Sequence, residues 1–180
     1  MALVIMVGMS MSGCADTNTW KEEVKLLDGR VIVIERETIR ERGGDELASN
    51  PSGTKPKEYR IRFFSPDDPT MLVEWRSTKK SPATWPEIPL VLDIEGKEPV
   101  IFTSVFNSAG CHIYSKYFFR SGVWVEEVLP HEFEQQATNL LIFDEENMQN
   151  LIGLGAKKNM NAGSQTIGFR QVGPTHPYCR

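Results

Sequence analysis

Four times between Val24 and Val128 the chain sets two strand-like runs on either side of a short turn, and that recurrence points to an antiparallel meander. Asp28-Gly29 separates residues 24–27 from 31–34 and suits a two-residue type I′ hairpin. The second pair, 59–63 and 71–76, is joined across Ser65, Pro66, Asp67, Asp68 and Pro69. The third runs over 88–94 and 100–106 around Glu95-Gly96-Lys97, and the fourth over 112–119 and 123–128 around Ser121-Gly122. The expected fold is therefore mainly β, an antiparallel meander closed as a sandwich, half-barrel or curved sheet. Alternation puts Tyr59, Ile61 and Phe63 on one face and Arg60 and Arg62 on the other. Residues 35–57, rich in Arg and Glu and punctuated by Gly43-Gly44, Pro51 and Pro56, read as a long loop.

One C-terminal helix is expected. Asp144 would cap it, Glu145 and Glu146 would occupy its first turn, Met148, Leu151 and Ile152 would form its apolar stripe, and Lys157 and Lys158 would complement its negative end. Gly153 and Gly155 weaken it, and residues 166–172 read as a last strand. At 180 residues, 40% of them hydrophobic, the chain is long enough for one domain with a real core. A formal charge of −4 argues against a dedicated nucleic-acid surface.

The first residues carry a different signal. Ala2 to Met11 hold no charge, and Ser12-Gly13-Cys14 follow. An apolar run that ends in small residues before a cysteine matches the chemistry of a lipoprotein signal, in which the thiol takes the lipid and the peptide is cut on its N-terminal side. Residues 1–13 are thus read as a signal peptide, 14–23 as a tether and 24–180 as one β-rich domain. No Lys or Arg precedes the apolar run, so this reading carries the expectation of a start further upstream. By resemblance to the sorting rule of Gram-negative lipoproteins, in which Asp directly after the cysteine favours the inner membrane, Ala15 at that place implies the outer membrane.

With Cys14 lipidated, Cys111 and Cys179 remain as an even pair in an oxidising compartment, and a bridge between them is expected. It would close a long loop, worth on the order of 4 kcal/mol.

Residues that carry chemistry are sparse. His112, His131 and His176 have no ligand spacing, so neither a metal site nor a cofactor is expected. No Gly-x-Ser-x-Gly occurs, and neighbours such as Cys111 and His112 on a strand point to opposite faces, so no catalytic residue is assigned. Gly153, Gly155, Lys157 and Lys158 lack the ending of a phosphate loop. Arg60, Arg62, Glu74 and Arg76 are expected to pair across strands on a solvated face. Trp85, between Pro82 and Pro86, is expected to fold back as a core plug rather than to serve as a stacking surface.

Met11-Ser12-Gly13-Cys14, Trp20-Lys21-Glu22-Glu23-Val24, Leu27-Asp28-Gly29-Arg30, the stretch from Glu58 to Phe63, Glu74-Trp75-Arg76-Ser77-Thr78 and Pro86-Glu87-Ile88-Pro89-Leu90 together resemble small proteobacterial envelope lipoproteins of unknown function. The resemblance covers nearly all of the mature chain and implies a lipid-anchored envelope protein. The leading expectation is a non-enzymatic binding or structural module, held to the membrane through Cys14 and facing an envelope protein or glycan. Its rivals are an envelope hydrolase or carbohydrate-active enzyme using loop carboxylates, and a cytosolic β-rich domain without lipid.

Overall fold

The computed structural model describes residues 16–42, 53–78, 85–106, 111–127, 129, 133–143, 148, 150–163 and 167–174. The four hairpins form in order and split into two sheets. Strands β1 (Asp16–Lys25), β2 (Val31–Arg42), β3 (Thr54–Ser65) and β4 (Asp68–Arg76) make an antiparallel sheet, extended at the β1 edge by the short parallel strand β10 (Leu151–Ile152). Strands β5 (Ile88–Glu95), β6 (Glu98–Phe106), β7 (His112–Arg120) and β8 (Val123–Glu127) make the second.

Strands β5 and β6 are buried almost end to end on both faces, so they need a cover on each side. One side is the first sheet: Tyr117, which pairs with Ile101, brings its ring centroid to 6.2 Å from that of Trp75. The other side is the C-terminal segment, with β9 (Gln136–Ala137), a 3-10 turn (Ile167–Phe169) and β11 (Gln171–Val172). There Phe102 meets Phe133 at 5.3 Å, and the Tyr114 hydroxyl donates to the Gly168 carbonyl at 2.8 Å. Three layers share one core that runs from Val24, Ile61 and Trp75 through Leu92 and Ile101 to Leu140 and Val172.

Side chains close two sheet edges. The Asn139 amide accepts from Leu92 N–H at 3.0 Å and donates to the carbonyls of Leu92 and Lys25 at 2.8 and 3.0 Å, so it extends β5 and ties it to β1. On the opposite flank Trp124 Nε1–H donates to the Glu74 carbonyl of β4 at 2.7 Å.

Several elements differ from their sequence expectation. The segment read as a loop over 35–57 contains the second half of β2 and the start of β3, with residues 43–52 outside the described part. Its hidden alternation has Glu35 and Glu37 outward and Ile34, Arg36 and Thr38 inward, and an inward arginine masks the period. Residues 16–23, expected within a tether, belong to β1, where Trp20, Glu22 and Val24 point inward.

The helix is displaced too. Leu151 and Ile152 pair with Lys21 and Glu22 as β10, and α1 (Leu154–Ala162) starts only after Gly153, whose extended φ −74, ψ 163 breaks the strand into the helix. The expected cap and acidic turn, Asp144 to Glu146, lie outside the described residues. Residues 166–172, expected as a strand, supply instead the 3-10 turn and the two-residue β11.

Turn chemistry differs as well. A type I′ turn requires positive φ at both central residues. Leu27 and Asp28 do not have it, and Gly29 alone does, at +90. Leu26 N–H donates to Arg30 O and Gly29 N–H to Leu26 O, which makes a three-residue loop with its glycine at the left-handed position. The type I′ pattern occurs instead at Ser121 (φ +52) and Gly122 (φ +83), between the paired Arg120 and Val123. Ser121 is the only non-glycine with positive φ among the described residues. Replacing it by Asn or Gly is expected to raise stability by about 0.5 kcal/mol, and Ser121→Val to lower it by about 1 kcal/mol or more, read as shifts of the urea midpoint.

Candidate binding face and its supports

The outer face of the first sheet carries a charge pattern fixed by strand register. Lys21 pairs with Glu35, Glu35 with Arg62 and Arg62 with Glu74, giving one row across four strands with signs plus, minus, plus, minus. The next row is Thr19, Glu37, Arg60, Arg76. Arg62 binds Glu74 at 2.6 Å, Glu35 at 3.0 Å and Glu37 at 3.1 Å, while Arg60 binds Glu58 and, at 3.3 Å, Glu37. These contacts hold the Arg62 guanidinium above its ordinary pKa, and Arg62 in turn holds the Glu74 carboxyl below its own. The expected outward pairing of Arg60, Arg62, Glu74 and Arg76 is present, and Glu35 and Glu37, which the loop reading hid, complete it.

Beside the charged rows lies one that begins with Glu23 on β1 and is apolar on the other strands. Val33, Phe64 and Leu72 are 51, 59 and 56% exposed, and with Lys21, Glu35 and Arg62 they line an open groove of about 340 Å³. Three large apolar side chains in one row of a sheet, uncovered and framed by ion pairs, are the features of a contact surface.

The inner face of β1 and β2 carries a buried ionic cluster. Glu22 accepts from Arg36 Nη1 at 2.7 Å and from Leu141 N–H at 2.9 Å, with Lys157 Nζ at 3.4 Å. The Arg36 guanidinium lies 5.2 Å from the Trp20 ring centre. Lys157 also donates to the Glu23 carbonyl, and Leu154 N–H to the Glu23 carboxylate, so the cluster docks α1 on β1. Burial pushes the Lys157 ammonium below its ordinary pKa, against the pull of Glu22. Trp20 Nε1, Arg36 Nε and Thr38 Oγ1 are buried alongside without a protein hydrogen-bond partner. The cluster is thus an orienting device with a high cost of desolvation.

Two more polar groups fix the second sheet. Glu87, fully buried, accepts from Thr78 N–H at 2.9 Å, Thr103 Oγ1 at 2.8 Å and Tyr117 OH at 3.2 Å, and burial pushes the Tyr117 hydroxyl upward. His112 Nδ1 lies 3.0 Å from Ser104 Oγ, and the imidazole packs edge-on against Phe169 at 4.6 Å. A Cβ at Gly168 would fall 2.2 Å from His112 Cδ2, so only glycine allows this approach. Burial lowers the His112 pKa. Ser104 is fully buried, so the pair holds two strands together rather than presenting a nucleophile. The sequence signal for it is the hairpin itself, which brings residues eight apart to one face.

Cys111 is disulfide-bonded. Cys14, Cys179, His131 and His176 lie outside the described residues. Trp85 is 38% exposed and so does not plug the core. Gly153 and Lys157 belong to the strand-to-helix break and to the ionic cluster. Among the described residues no group of three or more His, Cys, Asp or Glu is placed to hold a metal ion, and no helix is long and apolar enough to cross a membrane. Comparison with protein families, curated proteins and solved structures yields no match.

Glu22→Gln leaves two buried cations without their anion and is expected to cost about 3–5 kcal/mol in urea unfolding. The combined Glu22→Leu and Arg36→Met change should cost less. For His112 the folded pKa is the lower one, so the unfolded chain binds the proton more tightly. The stability held by neutral His112 is present above about pH 6.5 and is lost as pH falls below it. The urea midpoint of the parent chain should therefore drop more steeply from pH 7.5 to 5 than that of His112→Gln.

Proposed function

We propose that this chain is a non-enzymatic envelope lipoprotein, tethered through Cys14, that binds a partner with the outer face of its first sheet. The observation that carries the reading is the disulfide at Cys111, since such bonds persist in oxidising compartments. Of the three cysteines, Cys14 and Cys179 are the available partners. Pairing with Cys179 leaves Cys14 free for lipid. β1 begins at Asp16, two residues past Cys14, so an anchor there would sit directly at the foot of the first sheet. The resemblance to proteobacterial envelope lipoproteins and the residue Ala15 favour the outer membrane, facing the periplasm.

A carboxylate-based hydrolase fits less well. A general acid needs a raised pKa, whereas Glu74 is held low by Arg62. The buried Glu22, Glu87 and Asp93 are taken up by structural donors, Asp93 by the N–H of Leu27 at 3.0 Å.

The test is expression with the native upstream region in a Gram-negative host, followed by the intact mass and a non-reducing peptide map of the membrane fraction, beside Cys14→Ser. The expected product lacks residues 1–13, carries acyl mass only in the parent chain, and yields a Cys111–Cys179 peptide. Unprocessed, soluble protein from both chains, or a Cys14–Cys111 peptide, would overturn the proposal.

A further inference from the structure

The outer face of the first sheet has a symmetry in its charges that names a partner. Let a second copy lie face to face on this sheet, related by a two-fold axis that runs parallel to the strands between β2 and β3. Each residue then meets the one at the mirrored position in its own row. Lys21 faces Glu74 of the other copy, Glu35 faces Arg62, and in the next row Glu37 faces Arg60, every contact between opposite signs. In the row that holds the apolar groove Val33 faces Phe64, two side chains that already line one groove, and Leu72 faces Glu23 at the edge. Arg76 faces uncharged Thr19. Like charges opposed across an interface are a strong deterrent, and this face presents none of them to itself.

We infer that the partner of this face is a second copy of the chain, held by the row Lys21, Glu35, Arg62, Glu74 and by the apolar contact of Val33 with Phe64. The inference rests on the reading of this face as the binding face and adds the identity of what binds there. Isologous two-fold interfaces of this kind require a self-complementary patch, and alternating signs along a row of four supply one. The interface is modest. Four strands about 4.8 Å apart and three rows about 6.7 Å apart cover on the order of 400 Å² per copy, against about 800 Å² per partner in a standard complex. The dimer is accordingly weak at low concentration and favoured when copies share one membrane surface.

The experiment is a charge exchange. In Glu35→Arg alone, the introduced guanidinium would face Arg62 of its twin at two symmetric places, and in Arg62→Glu alone the introduced carboxylate would face Glu35 of its twin at the same two. A one-to-one mixture restores opposite signs at both places, because the new arginine of one chain meets the new glutamate of the other at one of them and the native pair re-forms at the second. Full chains that also carry Cys14→Ser are followed by sedimentation up to about 1 mM, a range that captures even weak association. The expected results are a reversible dimer for the parent, dissociation constants raised by about tenfold or more in each single variant, and recovery in the mixture.

Leu72→Glu, at an exposed position, would set a carboxylate opposite Glu23 of the twin and should weaken the dimer without loss of the folded circular-dichroism signal. It serves as the second probe if either charge variant fails to fold. A parent that stays monomeric throughout, or a dimer indifferent to Leu72→Glu or to both charge variants, overturns the inference. Lipidation measured by mass is untouched by any of these outcomes, so failure here and failure of the anchoring proposal are separable.

Discussion

Strands β5 and β6 have no exposed face, and the rest of the molecule follows from hiding both sides of them. A hairpin with large apolar side chains on both faces cannot end a two-layer sandwich, because its second face would meet water over several of them. The first sheet covers one side through Ile61 and Trp75, and the C-terminal segment covers the other through Phe133, Phe169 and Val172. The tail is thereby a structural layer. A disulfide at Cys111, at the mouth of β7, lies beside the layer that the His112 and Phe169 rings hold in place.

The same demand explains where polarity is tolerated inside. Glu22, Arg36 and Lys157 sit where β1, β2 and α1 meet, and Glu87 where β4 hands over to β5. Each fixes the register or docking of elements that apolar contacts alone would leave free to slide. A buried charge is costly when its partner is missing, so each cluster penalises the wrong arrangement more than it stabilises the right one. What the core does not use is the outer face of the first sheet, which ends up with ion pairs set by register and an uncovered apolar row.

The four hairpins, the mainly β class, the inward Tyr59, Ile61 and Phe63 and the outward Arg60 and Arg62 were legible in the sequence, because alternation and turn residues are local signals. The extension of β2 was not. Its inward Arg36 is tolerated only because Glu22, on another strand, neutralises it, and no window of β2 contains that fact. The misplaced helix has a similar cause: Leu151 and Ile152 have helical spacing with Met148, yet the free edge of β1 recruits them as a strand. Of the candidate site, the arginines were visible, whereas the rows that give them meaning depend on register across four strands. Trp85 remains at the surface, and nothing in its Pro-flanked sequence distinguishes that from burial.

The central claim is that a chain tethered through Cys14 uses the outer face of its first sheet for contact. Carboxyl labelling with mass-spectrometric readout addresses it directly, comparing the lipidated protein on vesicles with the dilute Cys14→Ser chain. The account predicts reduced labelling at Glu35, Glu37 and Glu74 on the vesicles, with Glu95, Glu98 and Glu127 of the second sheet unchanged. Equal labelling in both states, or protection at Glu95, Glu98 and Glu127 instead, would contradict it.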